Sequence, residues 1–600
     1  MDSPTTIVHS GGWLGDGTRR TYLRGAIRML ATGIIALAIG PGAPAQDPQQ
    51  TNPPANTGQQ TTVHGIVRNG ASGEPLPRAL VRINGDASTG VLTDGEGRFE
   101  IGDVPEGPQE FTVLKPGFMD EAESGADNMA WNSHGVGHNV IIAAPMGDVV
   151  FTMEPTNSIQ GQIQLSTGDV AEEIQVTLLR RTVQDGRAVW QSEANAKTNS
   201  DGFYRFGELP DGLYAVYTQP TMDSDAATNL VEQGSGRNVA REGYPMVFYP
   251  DARDLAGAAK IHVTGGEQAQ ANFVLTLEPF QSVTATVATP KTGSGAGEIV
   301  SLQVMDAQGH SLPYGTQYDP ATHIFQASLP DGTYTLLATM QTNEVHVLNS
   351  RNGETFRLAS RTPQPISGEV TVAVAGHPVS NLRIPLSERG NNSIQVSVAR
   401  DPNGTTAAGD TRIFVTLSQT GGGIGDGMVG SYAEGSIAVP LETQNPLPGS
   451  YWVHTSIAPK GFCEASFTAG AASLAREPLV LGIAGAATPL VLALRDDCAR
   501  LTLSLPGSVG LAAGEERFYT LYAVPDFDST EDVVPQTLRP STGGRVTLTG
   551  LTPGNYHVYT FDRPVSLEYR NPAVLASLQG QAVTVAPGVE TELTVEVPQR

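Results

Sequence analysis

From position 63 onward, apolar and polar residues alternate in short runs broken by Gly, Pro, Asn and Asp, which is the two-residue period of half-buried strands and not that of a helix. Val63, Gly65 and Val67 open the first run, a second strand covers 79–83, and a third ends at Thr93. The turn Asp94-Gly95-Glu96-Gly97 leads into Phe99 and Ile101, and Pro105 to Pro108 form a turn before a strand over 111–114. The plan then recurs. An aromatic-bearing strand, a Pro-Gly or Asp-Gly turn and a second strand return as YRFGELPDGLYAVYT from Tyr204, FQASLPDGTYTLLAT from Phe325, LPGSYWVHT from Leu447 and VTLTGLTPGNYHVYT from Val546. A closing strand pair such as IHVTGGEQAQANFVLTL ends each unit, and a new opening strand follows it.

This register predicts an all-β chain: a tandem array of about five antiparallel β-sandwich modules over 63–156, 157–279, 280–390, 391–497 and 498–600. Each unit is large enough to own a core, so beads on a string with short, stiff joints are expected, giving an extended array. Tyr214, Tyr334, Tyr451 and Tyr556 share one slot after the turn glycine. The expectation is an inward ring whose hydroxyl caps a turn.

The N-terminal stretch follows different rules. Arg19, Arg20, Arg24 and Arg28 precede an apolar run over 29–39 and then Ala43-Pro44-Ala45, the layout of a signal peptide over 1–45. The run is too short to span a bilayer comfortably, so no stable membrane span is expected after cleavage. A Pro-, Gln- and Asn-rich linker occupies 46–62. The predicted location is exported: periplasmic, cell-surface or extracellular. Across 600 residues the formal charge is -25. That acidity argues against nucleic acid as a partner, because like charge opposes approach.

Residues 63–118 resemble the carboxypeptidase regulatory-like domain, a transthyretin-like sandwich also grouped with carbohydrate-binding-like folds. The matching residues are Gly65 to Val67, then Gly73, Pro75, Leu76, Ala79 and Val81, then Thr93, Asp94, Gly97 and Phe99, and finally Lys115 to Phe118. The resemblance implies Ig-like or transthyretin-like modules and no activity. Some related pilin-type sandwiches carry a Lys–Asn isopeptide bond. The opening strands here hold no Lys, so that bond is not expected.

Candidate chemistry is sparse. Zinc peptidases need H-x-x-E or H-E-x-x-H, and none of the eleven His residues stands in such a pattern. There is no G-x-S-x-G elbow and no Walker loop, and the glycines at 425, 427 and 430 continue into strand, as a hairpin loop would. No cofactor is implied. The best metal candidates are Asp127, His134 and His138, in an insertion that also holds Asp120, Glu121 and Glu123; the plainer reading is a solvated acidic loop covering a sheet edge. Tyr244, Phe248, Tyr249 and Asp251 are candidates for carbohydrate binding, since a flat ring covers a pyranose face while a carboxylate takes its hydroxyls. The plainer reading is a packed crossover, echoed in unit five around Tyr569 and Pro572. Cys463 and Cys498 form an even pair in an exported chain, which predicts a disulfide.

Taken together these features predict a non-enzymatic exported protein, a binding or spacer element of the cell envelope with polysaccharide or envelope protein as candidate partner. The alternatives are an accessory or catalytic subunit of a secreted hydrolase, and an adhesin-like scaffold that binds protein.

Overall fold

A computed structural model describes residues 60–598 apart from 86–89, 121–136, 143–146, 223–240, 289–298, 308, 342–344, 350–354, 360–364, 389–392, 400–410, 421–430, 437–440, 443–447, 459–460, 483–484, 508–517 and 541–542. The signal peptide and residues 46–59 of the linker lie outside the described residues, as do Asp127, His134 and the glycines at 425, 427 and 430.

Strands dominate because the alternation places one face of each against a core. In Phe203–Leu209, for example, Tyr204, Phe206 and Leu209 are buried while Phe203 and Arg205 face outward. Five large apolar clusters follow one another along the chain, within 63–153, 159–275, 283–386, 413–494 and 499–595. Each fully buried Leu, Ile or Phe contributes roughly 1.5–3 kcal/mol.

The sheets are antiparallel with one recurring exception. In every module the first strand pairs in parallel with the last: Gln60–Asn69 with Val149–Pro155, Asn157–Leu165 with Phe273–Leu275, Glu278–Ala288 with Val379–Pro385, Ser393–Ala399 with Leu490–Arg495, and Ala499–Ser504 with Glu590–Thr594. Two parallel strands at the ends of a unit make the chain arrive at one end of the module and leave at the other. A successor can then follow through a short joint.

Two sequence motifs have visible causes. The tyrosine slot is a turn clamp: the hydroxyls of Tyr214, Tyr334 and Tyr556 donate to the carbonyls of Pro210, Pro330 and Thr552 at 2.8, 3.0 and 2.6 Å, four residues back in each case. In module one the Thr93 hydroxyl donates to the Leu76 carbonyl at 2.6 Å, and Asp94 accepts from the amides of Glu96 and Arg98 at 3.0 and 2.8 Å. Gly97 sits at φ 71° with the Val67 carbonyl 2.7 Å from where a Cβ would be, so only glycine fits. Module two repeats this device with Thr198, Asn199 and Gly202.

The expectation that modules meet only at their joints does not hold. The strand Tyr519–Pro525 is buried on both faces, and the outer face of Gly449–Ala458 is buried at His454 and half-buried at Trp452, so something other than their own core covers these outer positions. For module four that cover is a neighbour. The hairpin Gln175–Gln184 and Arg187–Lys197 of module two reaches residues of modules four and five, far away in sequence. The outer faces of modules two and five also carry their own covers: Phe248 and Met246 pack on Ala215 and Tyr217, and Leu567 and Tyr569 pack on Tyr522 and Val524.

Candidate functional site

The place where modules two, four and five converge has the densest unusual chemistry among the described residues, and it starts from a hairpin turn. Asp185 and Gly186 join the two long strands of module two with φ of 50° and 72°, the paired positive angles of a type I′ turn, for which Asp-Gly is suited. A Cβ on Gly186 would stand 2.5 Å from the Tyr569 ring of module five, so the turn must be bare to dock.

The Asp185 side chain meets His454, which lies on the outer face of Gly449–Ala458 and is nevertheless 4% exposed. Each nitrogen of the imidazole faces a carboxylate. Nδ1 lies 2.8 Å from Asp532 Oδ1 of module five and donates its hydrogen there, while Nε2 lies 3.3 Å from Asp185 Oδ2. The second approach is within ion-pair distance but lacks hydrogen-bond alignment, and Nε2 has no other partner. Burial holds the Asp185 carboxyl above the usual carboxylate range, with Asp532 adding to the rise and His454, Arg570 and Ser418 opposing it.

Two guanidinium groups complete the junction. Arg570 gives Nε to the Asp185 carbonyl at 3.1 Å, one terminal nitrogen to the Ser529 carbonyl at 2.7 Å and the other to the Glu531 carbonyl at 3.1 Å, a use of the planar fork that Lys cannot copy. Its amide donates to the Gly186 carbonyl at 2.9 Å. Arg187 stacks over the Trp452 ring at 3.6 Å and donates to the Ala475 carbonyl of module four. Burial, and then the Arg570 charge, push its guanidinium down to about 10.

Modules four and five are joined beside this by Glu464, a fully buried carboxyl. It accepts from the Thr455 hydroxyl at 2.5 Å, from the Thr530 amide at 2.8 Å and from the Thr530 hydroxyl. Burial pushes its carboxyl up, and these hydrogen bonds pull the other way. The disulfide Cys463–Cys498 closes a 35-residue separation next to Glu464 and ties module four to the start of module five.

Asp185, His454 and Asp532 bring three ligand-type atoms within 4.8 Å of one another. As a cation cage the trio is poor. Its histidine spends Nδ1 on Asp532, so an ion at Nε2 would have Asp185 as its close carboxylate, with Arg570 3.8 Å from Asp532 adding like charge. A cleft of about 320 Å³ opens alongside in module five, with a mostly apolar wall that includes Val533, Val534 and Leu548 and with Glu531, Asp532 and Thr549 among its polar residues.

The residues singled out in the sequence lie elsewhere. His138 sits on His138–Ile142 with Nε2 2.5 Å from the buried carboxylate of Asp120, a pair that spans the two sheets of module one, and Asp127 and His134 are not described. Phe248 is fully buried and offers no ring face to a sugar; Tyr244 and Tyr249 are half-buried against the module-two core, Tyr249 lying edge-on to Phe273, and Asp251 is exposed. The segment carrying them is a crossover: Arg241–Tyr244 pairs with the first strand of module three, and Val247–Phe248 pairs with Gly212–Thr218 of module two. Asp185, His454 and Arg570 are not among the candidates that the sequence suggests. The available signal is the run YWVHT, in which Trp452 puts a large ring on the strand face opposite the core residues Tyr451 and Val453.

Among solved structures the chain is similar to the Bacillus anthracis TIE protein, at 13% identity over 67% of this chain and with a TM-score of 0.15. The match spans 64% of that protein's length. It is also similar to a Streptococcal ancillary pilin, at 10% identity over 55% of this chain and 100% of that one with a TM-score of 0.16. The shaft pilin SpaA from Lactobacillus rhamnosus GG matches at 10% identity over 37% of this chain and 98% of that one, with a TM-score of 0.17. No curated protein matches. Residues 62–130 match the family described as carboxypeptidase regulatory-like domain, so module one is a domain of that type.

Proposed function

We propose that this chain is a non-enzymatic, exported β-sandwich scaffold of the cell envelope that serves as a binding or spacer element. The observation that carries the reading is the series of five separate sandwich cores, three of whose modules are held in fixed relation by a buried charged junction and a disulfide. Rigid ordering of modules is what a spacer or a multi-surface binding element needs. The acidic balance and the arginine-led, apolar N-terminal run fit export.

The buried Phe248 moves the candidate binding surface away from the module-two aromatics. The module-five cleft is the better place for a polysaccharide or an envelope protein segment, because its wall mixes carboxylates, hydroxyls and an amide with the aliphatic Val533 and Leu548. The test is a glycan array and an envelope-protein pull-down with the chain lacking 1–45, repeated with Thr549→Arg, which fills the cleft from an exposed position. Binding lost in the variant supports the reading. Turnover of peptide or polysaccharide panels by the same preparation overturns it in favour of a hydrolase subunit, and export failing to depend on 1–45 removes the envelope assignment.

A further inference from the structure

His454 has a hydrogen-count problem. A carboxylate only accepts, and a neutral imidazole has one N–H to give. With that hydrogen directed to Asp532, Nε2 presents a lone pair to Asp185 Oδ2 at 3.3 Å, two acceptors in contact where no water reaches the ring nitrogen. One additional proton lets this contact become a donor–acceptor pair after a small turn of the Asp185 carboxylate toward Nε2. We propose that docking of the module-two hairpin takes up one proton, shared between His454 Nε2 and Asp185 Oδ2, so that the junction tightens as pH falls.

The surroundings fit a proton better than a cation. The hairpin supplies Asp185 and Arg187, the strand Arg412–Gln419 supplies Ser418 at 3.4 Å from Asp185, and module five supplies Asp532, Tyr569 and Arg570. The two guanidinium charges already offset the two aspartates, so a divalent ion would leave twice the excess positive charge that one proton does. The rise of the Asp185 carboxyl on burial has the matching sign. A group raised in the docked form adds stability that is complete below the ordinary carboxylate range and is lost as pH climbs through the raised value. The proposal concerns how the modules are held and is independent of what the scaffold binds.

The backbone amide of Arg570 donates to the Gly186 carbonyl across the interface, so its exchange with solvent deuterium reports docking directly. The experiment follows that amide in the full chain from pH 8 to pH 5, after correction for the intrinsic pH dependence of exchange. In the parent, protection should rise about 10-fold or more toward pH 5, a change of about 1.4 kcal/mol at 25 °C. Asp185→Asn provides a permanent N–H donor toward Nε2 and suits the positive φ of this turn. It should show high protection at every pH. A flat parent profile, a variant that keeps the parent's slope, or a variant unprotected throughout would each overturn the proposal. Protection of the parent restored at pH 8 by micromolar Zn²⁺ and removed by a chelator would replace the proton with a cation.

Discussion

Glu464 shows how one side chain can set the pH response of a joint. Its folded-state carboxyl is raised by burial, so its contribution is complete below the ordinary carboxylate range and is lost as pH rises through the raised value. Glu464→Gln removes the ionisable group while keeping the shape. Its stability should lie within about 1 kcal/mol of the parent at pH 5 and gain on the parent toward pH 8 in thermal unfolding. Glu464→Leu should instead cost about 1–3 kcal/mol at either pH, because the Thr530 amide and two hydroxyls lose their acceptor. A simpler case is Tyr556, whose hydroxyl holds the Thr552 carbonyl. Tyr556→Phe should lower module-five stability by about 1 kcal/mol, seen as an earlier denaturant midpoint with unchanged slope. The tyrosine clamp was legible in the sequence because its parts lie four residues apart in one recurring phrase. Glu464 was not, since a carboxylate in CEASF looks the same whether solvent or another module lies over it.

At the scale of elements, strands and turns obey local rules. Alternation in Phe203–Leu209, the bare glycine at Gly97 and the Asp-Gly turn at 185–186 follow from neighbours within a few residues, so each is written in the local run of side chains. The disulfide is an intermediate case: two cysteines allow one pairing, while the elements it ties are a matter of three-dimensional placement. Replacing both Cys463 and Cys498 by Ser should destabilise module four by up to about 4 kcal/mol on loop-closure grounds, measured as a lower thermal midpoint that reductant no longer shifts. The crossover around Tyr249 was readable as a packed segment but not as one shared between two modules. Its strands divide between two modules, and nothing within REGYPMVFYP marks where one partner ends and the other begins.

For the whole molecule, the junction predicts coupled behaviour. Arg570 reaches module two through the Asp185 carbonyl while two module-five carbonyls hold its other nitrogens, so Arg570→Ala should leave each core folded but separate their unfolding into distinct calorimetric transitions, with a loss of about 1.5–3 kcal/mol of coupling. Arg570→Lys should rescue little, because a point charge cannot serve three acceptors in one plane. A single unchanged transition in both variants would mean that the modules are held together by other contacts.

The sequence by itself determined the strand content, the turns, the five cores and the first module's family, because each depends on burial against residues of the same unit and leaves a two-residue period along the chain. Only the tertiary structure decided that Asp185, His454, Asp532 and Arg570 meet. His454 sits on an outward strand face, Asp185 in a hairpin turn and the other two in loops, and Arg570 lies 385 positions from the aspartate whose carbonyl it holds. An outward polar side chain has the same local pattern in water as beneath a neighbouring module; the difference is desolvation, which exists only after the modules have come together.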